Sequence, residues 1–185
     1  RRLVTGAGLV VAALAAPALA QKSKSAATSA VVAQIVDISN DQQDVSRDFL
    51  VGSRAAWQDI NAKGGIGGVK LSATFIDEGI GGDKLLSEYR RLVQEQGVRT
   101  MLSAISSGNC NIVAPVAEDL KVLNVMWDCG TEKVLEDKRY KYVVRTQANA
   151  NTEMVATVLY LLKTRPNFST IAVMNQDYAW GRDSW

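Results

Sequence analysis

Short apolar runs alternate along this chain with longer segments whose apolar positions recur every three to four residues. Val31 to Ile38 is the first run. Ser46 to Ala62 comes next, with Phe49, Ser53, Ala56, Trp57 and Ile60 at helical spacing, and Gly64-Gly65 marks a left-handed helix end. Val69, Leu71, Ala73 and Phe75 alternate as a strand does. Asp83 to Gln96 sets Leu85, Leu86, Tyr89, Leu92 and Val93 on one helical face, and Gly97 ends it. Val98 to Ser103 predicts a third strand, Asn109 to Lys121 a third helix, Val122 to Trp127 a fourth strand and Tyr140 to Arg145 a fifth. Asn149 to Thr164 predicts a long helix stopped by Arg165-Pro166. Ser169 to Met174 predicts a sixth strand, with a further helix starting near Tyr178.

Strands separated by helices of this length make βαβ units, so the expected fold class is α/β: a Rossmann-like parallel sheet with helices on both faces. Ligands of such sheets sit beyond the carboxyl ends of the strands, where loops feed helix N-termini. Four loops meet that rule: Ser39 to Ser46, Ser106 to Asn109, Asp128 to Thr131, and Gln176 to Gly181. The second and third are rich in hydroxyls and small residues, which suits an anion held by backbone N–H groups. The last carries Tyr178 and Trp180, surfaces for an apolar or aromatic ligand body. Asp44, in the first loop, is expected to face the same cleft.

The first twenty residues alter the setting. Arg1 and Arg2 precede an apolar run from Leu3 to Ala16, and Ala18-Leu19-Ala20 ends it in a small-x-small pattern, so 1–20 reads as an export signal peptide. Residues 21–30 are Lys/Ser/Ala-rich and read as a linker. Without Arg1 and Arg2, 19 cations face 19 anions, from 21 and 19 in the full sequence. A neutral protein gives no bulk electrostatic reason to bind nucleic acid. The missing initiator Met and the end at Trp185 read as those of a longer protein's N-terminal part.

Candidate chemistry is sparse. Histidine is absent, which removes the commonest general base and zinc ligand. The glycines at 64–68 follow a helix rather than a first strand, and those at 79–82 lack dinucleotide spacing, so no nucleotide or other cofactor is expected. Ser106-Ser107 lies outside any Gly-x-Ser-x-Gly elbow and reads as a helix cap that also serves a ligand. No catalytic or metal-binding residue is expected. Cys110 and Cys129 are the only cysteines. In this fold they lie at neighbouring strand ends, so a disulfide is feasible within the limit of about 7 Å between Cα atoms. Asp77-Glu78 read as solvated loop carboxylates, Trp57 as core, and Arg182 as the first turn of a helix.

Four stretches in order carry a resemblance: Asp59 to Ile66 leading into a strand that ends at Asp77-Glu78; Ser106-Ser107 with Ala114-Pro115-Val116-Ala117-Glu118; Tyr142 to Thr146; and Asn175 to Arg182. Together they resemble the type I periplasmic binding proteins, the branched-chain amino acid-binding family of ABC importers. The resemblance spans Val31 to Trp185. It implies two lobes that enclose a ligand, here with 31–147 as lobe one and 148–185 as the crossing and start of lobe two. It implies that Ser107 grips a ligand carboxylate, that Cys129, Gly130 and Thr131 form the loop holding an ammonium group, and that Trp180, with Tyr178 nearby, is presented by the second lobe. Two places depart from the amino-acid binders: Asp44-Val45, where many members carry an aromatic, and Trp127-Asp128, where small residues are usual. The expected function is an exported, periplasmic solute-binding protein, not an enzyme, that delivers an amino acid, amide or aromatic carboxylate to an ABC transporter permease. The alternative is a ligand-sensing domain of a receptor or regulator with the same fold.

Overall fold

A computed structural model describes residues 29–103 and 106–184. The expected signal peptide and most of the linker lie outside them, while Ser29 and Ala30 already belong to the first strand. In chain order the elements are β1 (Ser29–Val36), α1 (Gln43–Ala62), β2 (Lys70–Asp77), α2 (Gly82–Glu95), β3 (Thr100–Ser103) and α3 (Ser107–Leu120). Next come β4 (Leu123–Met126), a single-turn α4 (Lys133–Glu136), β5 (Val143–Arg145), α5 (Ala150–Thr164) and α6 (Ala179–Asp183). The five strands form one sheet in the order β2-β1-β3-β4-β5, and every pairing is parallel. The α/β class expected from the pattern is therefore the observed one.

Strand alternation decides which side each residue serves. Ala33 and Ile35 of β1 are fully buried in a core with Leu85, Tyr89 and Leu92 of α2 and with Val113, Ala114 and Ala117 of α3. Gln34 points the other way, where its Nε2 donates to Ser53 Oγ of α1 at 2.8 Å. Each large apolar side chain buried in the core contributes about 1.5–3 kcal/mol. Gly65 makes the tight return from α1 to β2 possible. Its φ is +84°, and a Cβ there would stand 2.0 Å from the carbonyl oxygen of Val69. The carbonyl and amide groups of Leu71 are then held by the Asn61 side chain, at 2.7 and 2.8 Å.

The expected sixth strand is not formed. Residues 169–174 run as irregular chain, with Met174 almost wholly exposed. A strand exists only through a neighbour's N–H and C=O row, and no described strand pairs with this segment. The single turn of α4 is too short for periodicity to announce.

The strand order doubles back at β1. The chain leaves β1 for β2 on one side and returns for β3 on the other, so the loops after β1 and β3 diverge and leave a crevice between them.

Candidate functional site

That crevice is a cleft of about 880 Å³, within the usual size of small-molecule sites. Its floor is made by residues at the carboxyl ends of successive strands. Asp37 comes just after β1, Glu78 after β2, Ser106 and Ser107 after β3, and Asp128 and Gly130 after β4. Gln176, Asp177, Tyr178 and Trp180 close it from the far end of the sequence.

Two buried carboxylates build the floor rather than face water. Asp37 is 4% exposed. Its Oδ1 accepts from the backbone N–H of Ser39 (3.2 Å) and Asn40 (2.8 Å), and its Oδ2 from that of Gln42 (3.0 Å), which folds the β1–α1 loop around it. Glu78 is equally buried, against the expectation of a solvated loop acid. Its Oε1 accepts from the N–H of Ser106 (2.9 Å) and its Oε2 from Asn109 Nδ2 (3.3 Å). An anion at the start of α3 complements the helix dipole, so Glu78 does the capping expected of a serine hydroxyl. Ser106, the residue before the helix, makes no side-chain capping bond. Next door, burial drives the Asp77 carboxyl upward, but bonds from the Ser39 side chain and the N–H groups of Ile38 and Gly79 hold it below its ordinary value.

The third loop is fixed from below. Cys110 of α3 is disulfide-bonded to Cys129, with Cα atoms 6.4 Å apart. Arg145 at the end of β5 donates to the carbonyl oxygens of Thr131 (2.6 Å) and Cys129 (3.3 Å). The Thr131 hydroxyl donates to Asp183 Oδ2 at 2.5 Å, and the N–H of Glu132 reaches the same oxygen at 3.1 Å. Above this loop lies Trp180. A Cβ on Gly130 would be 2.1 Å from the indole Cδ1, so only glycine admits the ring at this position. Tyr178 stands beside Trp180 with ring centroids 6.4 Å apart.

Asp128, between these walls, is half-buried. Burial raises its carboxyl above the ordinary value, partly opposed by a hydrogen bond from the Gln147 side chain. Burial and then the Asp128 charge raise the Tyr178 phenol. Trp127 faces away from the cleft. It stacks on Phe49 of α1 at a centroid distance of 3.9 Å and donates from Nε1 to the Ile35 carbonyl at 3.3 Å.

Of the residues singled out by sequence, Ser106, Ser107, Gly130, Tyr178 and Trp180 meet at the cleft. Asp44 does not. It sits in the first turn of α1, exposed and paired with Arg47 at 2.6 Å, because α1 begins at Gln43 rather than Ser46. Cys129 and Thr131 lie beneath the wall, and the carbonyl and hydroxyl expected to meet a ligand are taken by Arg145 and Asp183. Among the cleft acids, Asp37 was not singled out by sequence, Glu78 was read as a solvated loop carboxylate, and Asp128 stood in a ligand loop without a role of its own. Their signal was position, each lying just past a strand. Among the described residues, no group of acids and cysteines is arranged to hold a metal ion.

The chain is 27% identical over 131 residues to the leucine-specific-binding protein of Salmonella typhimurium, covering 70% of this chain and 35% of that protein. The structure is similar to a solute binding protein of an ABC transporter from R. palustris in complex with 4-hydroxybenzoate. The TM-score is 0.72 at 21% identity, over 84% of this chain and 41% of the other. An ABC transporter substrate-binding protein from Desulfitobacterium hafniense in complex with Leu matches with a TM-score of 0.67 at 18% identity, over 85% and 44% of the two chains. The chain thus spans less than half the length of these relatives. The family model described as "Periplasmic binding protein" matches residues 29–185, and the chain, with its parallel sheet and cleft, belongs to that family.

Proposed function

We propose that this chain supplies most of one ligand-holding lobe, and the beginning of the second, of an extracytoplasmic solute receptor serving an ABC importer. The observation that carries this reading is the convergence at one cleft of Ser106-Ser107, Gly130 and the Tyr178–Trp180 pair, from loops that are far apart in the sequence. The relatives named above are solute-binding proteins, and the leader-like first twenty residues fit an exported, periplasmic location.

In this reading residues 31–147 form lobe one and 148–185 the crossing into lobe two. A small organic ligand settles on the ends of β3 and β4, and Tyr178 and Trp180 cover it as the lobes close. Closure is a hinge motion, and ligand shifts its population because only the closed form touches ligand from both sides. The closed, loaded form is what a permease would recognise. Nothing in the cycle requires a bond to be made or broken, so the receptor is not an enzyme.

A thermal-shift screen of the full natural chain tests this, with leucine, isoleucine, short amides, urea and 4-hydroxybenzoate. A true ligand at about 100 times its Kd stabilises by roughly 2.7 kcal/mol. Ser107→Ala and Trp180→Ala should each lose most of that shift while melting normally without ligand. Turnover of any panel member, or shifts indifferent to both substitutions, would sink the proposal.

A further inference from the structure

The charge of the cleft narrows the ligand beyond the receptor reading on which this inference rests. Among the described residues, its wall carries six carboxylates and neither Lys nor Arg. Most are committed. Asp37 holds three backbone N–H groups, Glu78 holds the start of α3, and Asp177 is paired with Arg182 at 2.8 Å. Asp41 and Glu153 are exposed, where water screens them. Asp128 differs in being half-withdrawn from solvent, inside the cleft, and bonded to a neutral amide rather than to a cation. It lies close enough to the Tyr178 phenol for its charge to be felt there, and the Trp180 ring stands beside Tyr178.

A half-buried carboxylate without a cationic partner is electrostatically incomplete. Aromatic faces beside it attract positive charge through their ring quadrupoles. Elsewhere on the wall, the α3 N-terminus would ordinarily welcome an anion, but the buried Glu78 carboxyl already occupies that helix end and uses the Ser106 N–H. A ligand carboxylate would compete with that carboxyl for the helix end, whereas an ammonium would not.

We propose that Asp128 is the specificity-determining residue of the cleft and that the ligand is an organic cation, its ammonium or amidinium group on Asp128 and its body against Tyr178 and Trp180. A hydrogen bond from a charged donor to a half-buried carboxylate is worth on the order of tenfold to hundredfold in affinity.

Calorimetric titration of the full natural chain with tyramine, agmatine and putrescine, against 3-(4-hydroxyphenyl)propionate and leucine, reads this directly. Tyramine and the propionate share a ring and a comparable tether and differ chiefly in the charged end. The expected result is binding of at least one amine about tenfold or more tighter than of either carboxylate-bearing probe. Asp128→Asn should weaken that amine by about tenfold or more, without lowering the melting temperature of the unliganded protein. Tighter binding of leucine or the propionate overturns the cation assignment and leaves the receptor reading standing. So does amine affinity that Asp128→Asn changes less than about twofold. No binding by any probe, with no shift from the wider screen above, overturns both.

Discussion

Tyr89 carries the largest fully buried side chain in the core, and its hydroxyl meets no hydrogen-bond partner among the described residues. Burial accordingly drives the phenol well above its ordinary value. A buried hydroxyl without a partner costs about 1–3 kcal/mol of desolvation, while the ring itself fills the space between α2 and the sheet. Tyr89→Phe keeps the ring and removes the cost, so the urea midpoint should rise at unchanged slope, by the equivalent of about 1 kcal/mol. A lower midpoint would mean that the hydroxyl is satisfied after all. Asp128 gives a second single-residue case with a pH signature. Its folded carboxyl ionises above the ordinary value of 3.8, so ionisation works against folding. The penalty is full above the raised folded value, shrinks as pH falls through it, and vanishes below the ordinary one. Asp128→Asn should therefore melt higher than the parent at pH 7 without ligand, and the two melting curves should converge on acidification toward about pH 3. A gap that widens on acidification would contradict the assignment.

The elements themselves explain what could be read in advance. Buried parallel strands write themselves as short apolar runs, and α2 writes itself as Leu85, Tyr89, Leu92 and Val93 on one face, so the sheet and its core were legible. Element ends were less so. α1 starts after Gln42, which offers no side-chain cap, and that hidden start turned Asp44 from a cleft residue into an exposed first-turn one. Ser169 to Met174 has strand composition but no ladder partner here, and composition cannot report a partner. The hydroxyl-rich and aromatic loops of the cleft were legible because strand ends in a parallel sheet dictate where ligands go. The direction of each side chain was not. Glu78 turns inward because α3 needs an anion at its start, and the Thr131 hydroxyl meets Asp183, 52 residues further on. Both are tertiary facts, invisible to spacing along the chain.

At the scale of the whole molecule, burial is divided unevenly between the sheet half and the segment from α5 onward. Residues 29–147 hold nearly the whole core, whereas α5 shows Val155, Leu159, Tyr160 and Leu162 to solvent, with Leu159 60% and Tyr160 66% exposed. Its start is held, since Glu132 accepts from Asn149 Nδ2 (2.7 Å) and from the N–H of Asn151 (3.1 Å). Beyond it, Asp183 ties α6 to the loop after β4. The stretch between these two anchors has few buried contacts, and local opening is cheapest where little burial is lost. Lys163 lies in that stretch, exposed in the last turn of α5, while Pro166 shields the bond after Arg165 from trypsin. Limited trypsin digestion of this 185-residue chain should cut at Lys163 well before Arg90, Arg91 or Lys121, which belong to or border helices packed on the core. Mass spectrometry of the earliest fragments identifies the site. An early cut in α2 or α3 would mean that the sheet half is not the more stable part, and the division of stability drawn from burial would fall with it.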